Sequence, residues 1–212
     1  MIKAVLWDFG GVITSSPFEA FARYEREKGL PENFIRTINA TNPDDNAWAR
    51  FERSEIDLDG FDTAFNAEAS AAGHPVPGRD IIALLSGDIR PEMVAALKKC
   101  RETFKVACIT NNVKAGAGAG MSRDPEQAAR VAEILALFEH VIESSKVGVR
   151  KPDPKIYQMA CETVGVAPEE AVYLDDLGIN LKPAKALGMT TIKVVTPGPA
   201  LEELAAATGL TF

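Results

Sequence analysis

Lys3-Ala4-Val5-Leu6-Trp7-Asp8-Phe9-Gly10-Gly11 decides how this chain is read. Ala4, Val5 and Leu6 form a continuous apolar run rather than an alternating one. A strand buried on both faces, as in a parallel sheet, has that pattern. The run stops at a carboxylate, with a phenylalanine and then two glycines after it.

Outward from this stretch the same texture returns. Phe104–Ile109, Val141–Glu143, Ala171–Leu174 and Thr190–Val195 each read as a strand. Helical periodicity lies between them, over Pro91–Arg101, Pro125–Phe138, Pro154–Val164 and Asn180–Leu187. Pro91 and Pro154 stand where the first helical turn tolerates proline, and Gly165 and Gly188 stand just past helix ends. Strands alternating with helices predict a doubly wound α/β fold with a parallel sheet. Between the first strand and the rest lies a different texture. Ser16–Gly87 carries helix-like stretches, among them Phe18–Lys28 and Ile56–Ala72, and no convincing strand. The expected organisation is an α/β core over residues 1–14 and 88–212, with a small all-helical insert over 15–87.

Composition bounds the function. The 212 residues are 46% hydrophobic and 25% charged, which suffices for a packed globular core. A net charge of −7 argues against a nucleic-acid surface. No apolar run approaches the roughly 18 residues that would span a membrane. The opening segment is too short and interrupted for a signal peptide. Three scattered cysteines, Cys100, Cys108 and Cys161, form neither a disulfide framework nor a zinc site. These features suggest a cytoplasmic location. Nothing in the composition demands an oligomer, although a homodimer through the insert is compatible with it.

In open α/β sheets, ligands bind beyond the carboxyl ends of the strands. Asp8 follows the first strand, and Thr110-Asn111-Asn112 follows the second. Lys151-Pro152 lies between the third and fourth. Asp175-Asp176 follows the fourth, with Asn180 a turn later. Three carboxylates at one edge repel one another and call for positive charge. Lys151 supplies one unit, and a divalent metal could supply more. Hard oxygen donors without Cys or His favour Mg²⁺. Asp8 could then be both metal ligand and nucleophile, Thr110 and Asn111 could hydrogen-bond phosphate oxygens, and Lys151 could offset the transferring charge.

Four segments carry a resemblance: VLWDFGG, CITNN, KPDPKIY and YLDDLGIN, in that order. Through them the chain resembles the haloacid-dehalogenase (HAD) superfamily over essentially its whole length. Its last motif is similar to the N-terminal phosphatase domain of soluble epoxide hydrolases. The resemblance implies a Rossmannoid core with a helical cap, and an Mg²⁺-dependent hydrolase of the phosphatase type acting on a small phosphorylated metabolite. It implies Asp8 as nucleophile and metal ligand, Gly10 giving a backbone carbonyl to the metal, and Asp176 as direct metal ligand. Asp175 would be the neighbouring acid of the metal site. Thr110 and Asn111 would bind phosphate, and Lys151 would steady nucleophile and phosphate. Asn180 matches a further polar position of the last motif.

One position departs from that pattern. Phosphatases of the family usually carry an acid–base Asp two residues after the nucleophile, where this chain has Gly10. Three explanations stand open: an easily released leaving group, a proton donor from the insert or water, or an impaired catalyst that only binds phosphometabolites. A metal-free dehalogenase is a further alternative, opposed by the unneutralised Asp175-Asp176 pair. The glycine-rich stretch at 116–120 does not have dinucleotide-loop spacing. His74 and His140 read as structural or solvated rather than catalytic, and Trp48 as core of the insert or lining of a cavity.

Overall fold

The computed structural model describes residues 1–113 and 125–212. The glycine-rich stretch at 116–120 lies outside the described residues.

The chain begins with β1 (Ala4–Trp7) and then enters five helices. These are α1 (Phe18–Lys28), α2 (Phe34–Ala40), α3 (Ala47–Glu52), α4 (Leu58–Ala71) and α5 (Gly78–Ala83). The α/β part resumes with α6 (Pro91–Cys100), β2 (Lys105–Thr110), α7 (Pro125–Leu135) and β3 (His140–Glu143). It continues with α8 (Ser144–Val147), α9 (Pro154–Val164), β4 (Ala171–Asp175), α10 (Gly178–Ala186), β5 (Thr190–Lys193) and α11 (Pro197–Thr208).

The sheet is wholly parallel, in the order β3-β2-β1-β4-β5. All four residues of β1 are buried, as its unbroken apolar run requires. Side chains alternate across the two faces. Val5 and Trp7 pack with Met93, Leu97, Val131 and Leu204, from α6, α7 and α11. Ala4 and Leu6 face the other way, into Ile156, Tyr157, Ala160 and Leu181, from α9 and α10. This is the doubly wound arrangement expected from the strand–helix alternation. Register then fixes the site. Trp7 pairs with both Cys108 and Leu174, so the residues that follow emerge at the same sheet edge.

The insert forms its own aromatic core. Phe51 stacks on Phe61 at 4.7 Å between ring centroids, and Phe65 lies 5.4 Å from Phe61. Phe21, Phe34, Ile35 and Ile81 complete it. Trp48 meets Phe61 edge-on, and His74 meets Phe34 in the same way. Both are packing residues here. Asn46 and Asp57 cap α3 and α4 by accepting from Ala49 N and Gly60 N.

Chain entry and exit lie side by side. Thr14 and Ile89 form an antiparallel bridge, Arg90 N donates to Ile13 O, and Ser15 N donates to Asp88 O. A β-carbon on Gly87 would stand 2.3 Å from Ser15 O, so only glycine lets the strands pass this closely.

The strand and helix limits differ from the sequence expectations by a few residues. Thr110 and Asp175 are the last residues of their strands rather than the first beyond them. Helix α11 is an addition. Its Pro197-Gly198-Pro199 opening looks like a breaker, yet prolines in a first turn sacrifice only N–H groups that have no helical partner.

Candidate functional site

Asp8 leaves β1 with its N–H bonded to Leu174 O of the neighbouring strand, at 2.8 Å. Its Oδ1 accepts from Phe9 N at 2.7 Å and from Lys151 Nζ at 2.8 Å. The residue is 7% exposed. Lys151, 1% exposed, reaches in from the segment before α9 and divides its ammonium between Asp8 and Asp175 Oδ2, the latter also at 2.8 Å.

Asp175 is fully buried and fully engaged. Its oxygens accept from Leu177 N, Asn180 Nδ2, Tyr173 Oη and Lys151 Nζ. A carboxylate has about four lone-pair positions. Asp175 therefore ties Lys151 to the start of α10, with little capacity left for a direct metal bond. Asn180 is fixed in turn, since its carbonyl accepts from Tyr157 Oη at 2.7 Å.

Asp176 is less enclosed. Its Oδ2 accepts from Ser16 Oγ at 3.2 Å, across 160 residues of sequence. Ligand atoms of Asp8, Asp175 and Asp176 all lie within 4.8 Å of one another.

The electrostatics follow from this crowding. Burial raises the Asp8 carboxyl well above its ordinary range. Lys151 opposes that rise, and Asp175 and Asp176 add to it. Burial and then Asp175 push Asp176 up to about 6, against Lys151 and Ser16. Burial alone would lower Lys151, but Asp175 and Asp8 together hold it above the usual lysine range. One ammonium among three carboxyls leaves a negative, oxygen-only cluster. Such a donor set could hold a hard divalent cation, and Asp8 and Asp176 are the carboxylates that still have free lone pairs.

Thr110 ends β2 one residue beyond the level of Asp8 and is 3% exposed. Its hydroxyl makes no hydrogen bond among the described residues. Asn111, expected to bind phosphate, has its side chain bonded to the lysine segment and to the insert. Its Oδ1 accepts from Lys151 N at 2.8 Å, and its Nδ2 donates to Lys151 O at 3.0 Å and to Glu52 Oε2 at 3.2 Å. That side chain holds the lysine segment.

Sequence reasoning missed Gly11, Ser16, Tyr173, Glu52 and Arg150. Gly11 had a signal in the double glycine: it sits at φ 81°, against the Asp176 carboxylate. The β-carbon position at Gly10 has nothing within 4 Å. The three cysteines are buried and unpaired. Burial raises Cys100 to about 12 and Cys161 to about 11, so they are poor nucleophiles.

A family model described as haloacid dehalogenase-like hydrolase matches residues 2–188. The chain belongs to that family. Within the family of haloacid dehalogenase-like hydrolases, it is 33% identical over 98% of its length to mouse (Mus musculus) acyl-CoA dehydrogenase family member 10, of which it covers 19%. It is 30% identical over its whole length to mouse bifunctional epoxide hydrolase 2, of which it covers 40%. The chain thus spans less than half the length of these relatives. It is 28% identical, over 93% of its length and 89% of the relative, to a phosphatase of Mycobacterium tuberculosis. Among solved structures, a HAD family enzyme of Bacteroides thetaiotaomicron, in mutant form with magnesium and inorganic phosphate, superposes with a TM-score of 0.60. The match has 23% identity over 92% of this chain and 96% of that one. An L-2-haloacid dehalogenase of Xanthobacter autotrophicus, carrying covalently bound chloropropionic acid, gives 0.62 at 18% identity, over 100% and 85% of the two chains. These likenesses establish the fold of a HAD-like hydrolase. Among the described residues, no helix is long and apolar enough to cross a membrane.

Proposed function

We propose that this hydrolase is an Mg²⁺-dependent phosphatase acting on a small phosphorylated metabolite through an aspartyl-phosphate on Asp8. The observation that carries this reading is Lys151 Nζ held 2.8 Å from both Asp8 and Asp175, beside the open carboxylate of Asp176. When bound by Asp8 and Asp176, Mg²⁺ would neutralise the repelling carboxylates and the phosphate.

In the first step, an Asp8 oxygen attacks phosphorus in line and the leaving-group oxygen departs. Lys151 offsets negative charge at the nucleophile. Asp175 keeps that ammonium in place, and the Thr110 hydroxyl is available to donate to a phosphate oxygen. Water then attacks the phosphorus of the aspartyl-phosphate, which releases inorganic phosphate and restores Asp8. The helical insert acts as a cap over the sheet edge, and its closure excludes bulk water. Because Gly10 offers no acid, the reading favours substrates whose leaving group needs little protonation, such as acyl phosphates or sugar 1-phosphates.

Phosphate release from acetyl phosphate and p-nitrophenyl phosphate tests this, with Mg²⁺ and with chelator, for the natural chain and Asp8→Asn. Metal-dependent turnover that disappears in the variant is expected. Undiminished turnover in Asp8→Asn overturns the reading. Absence of turnover in folded natural chain would favour a phosphometabolite-binding protein. Chloride release from 2-chloropropionate in chelator would favour the dehalogenase alternative, which the Xanthobacter fold likeness keeps in view.

A further inference from the structure

Glu52, the last residue of α3, is a carboxylate from the helical insert with 5% exposure. Its Oε1 accepts from Trp48 Nε1 at 2.9 Å. Its Oε2 accepts from Arg150 Nε at 2.5 Å and from Asn111 Nδ2 at 3.2 Å. Arg150 is the residue before Lys151, and it also donates to Pro43 O of the insert at 2.9 Å. Asn111 closes a two-bond ring on the backbone of Lys151 itself. One acid of the insert therefore grips both supports of the lysine that meets Asp8.

An interface ion pair could simply hold two layers together. A largely buried pair contributes little to that purpose, since well-packed apolar residues often stabilise as much or more. What such a pair adds is registry. Glu52 fixes where the insert sits relative to Arg150 and Asn111, and hence where the Lys151 backbone sits. In the proposed function the insert lifts from the sheet edge to admit substrate, and such lifting would separate Glu52 from both partners.

We infer that Glu52 is a positioning residue, which acts through Arg150 and Asn111 to place Lys151 against Asp8 only when the insert is docked. This rests on the phosphatase reading for its kinetic consequence, but not for its structural one.

The test compares Glu52→Ala, Glu52→Gln and Arg150→Met with the natural chain, using p-nitrophenyl phosphate and Mg²⁺. A misplaced catalytic group costs up to about a hundredfold, so Glu52→Ala and Arg150→Met are each expected to lower kcat by about ten- to a hundredfold. KM should change by less than about threefold, and Glu52→Gln should recover part of the loss. The double variant should be no worse than the more damaged single one, as coupled residues behave. A merely structural role would lower the melting temperature and leave kcat per folded molecule unchanged, and that result overturns the inference.

Amide hydrogen exchange across residues 146–157 is the second measurement. Faster exchange at Lys151 N in Glu52→Gln, which keeps the side-chain volume, is expected, and unchanged exchange overturns the inference. If the natural chain has no Asp8-dependent turnover, the phosphatase reading falls while the exchange measurement still decides the role of Glu52.

Discussion

Gly11 and Asp176 are packed against each other so closely that a β-carbon on Gly11 would stand 2.3 Å from Asp176 Cγ. With φ at 81°, Gly11 also holds a backbone conformation that other residues rarely adopt. The second glycine of the pair is therefore a spatial requirement of the Asp176 carboxylate. Gly11→Ala is expected to displace Asp176 and to destabilise the fold by about 1–3 kcal/mol. The Mg²⁺-induced rise in melting temperature should shrink or vanish with it. Thermal melts with and without metal check both.

Gly10 behaves differently. Its β-carbon position is open, so a side chain can be added there. Gly10→Asp is expected to fold normally. It should raise turnover of alkyl phosphomonoesters by about 10²–10⁴-fold, the usual worth of general acid–base catalysis. Acetyl phosphate, which needs little protonation, should change far less. Steady-state kinetics on the two substrate types measure the contrast.

The raised carboxyls make the metal-free protein sensitive to pH. Asp176 titrates near 6 in the folded chain against an ordinary 3.8, so between those values the folded state holds more protons than the unfolded one. Stability then falls as pH rises through that window and stays lowered above it. Asp8 acts in the same sense. The shift on Asp176 is worth up to roughly 3 kcal/mol at neutral pH. Asp176→Asn should therefore melt higher than the natural chain in chelator at pH 7, and lose the gain that Mg²⁺ provides. Calorimetry at pH 4.5 and pH 7 reads the sign.

Lys151→Met should reverse that benefit. It removes the one ammonium shared by two buried carboxyls, and breaking a buried ion pair costs about 3–5 kcal/mol. Denaturant melts in chelator give the loss. Turnover should fall at the same time, with Mg²⁺ restoring stability but not rate.

The parallel sheet and the placing of Asp8, Thr110 and Asp175 at strand ends were legible because they depend on local patterns. An apolar run such as Ala4–Trp7 ends in Asp8, and Ala171–Leu174 ends in Asp175-Asp176. Side-chain bonds between distant segments carry no such local mark. Ser16 reaches Asp176 across 160 residues, and Glu52 reaches Arg150 across 98. The role of Asn111 could not be read for the same reason: its amide is directed by the lysine segment 40 residues away. Saturation of Asp175 by Tyr173, Leu177 and Asn180 also depends on how α10 starts, which spacing alone does not reveal.

Strand order has a consequence for how the chain folds as it is synthesised. β1 emerges first but occupies the middle of the sheet, and its two neighbours begin at Lys105 and Ala171. The five helices that follow β1 find their aromatic partners within a few dozen residues, so they can condense early. β1 has no partner on one edge until Lys105 is made and none on the other until Ala171 is made, and a long apolar strand in that condition is an aggregation hazard. At four residues, ended by a carboxylate and two glycines, it is too short to template another chain for long.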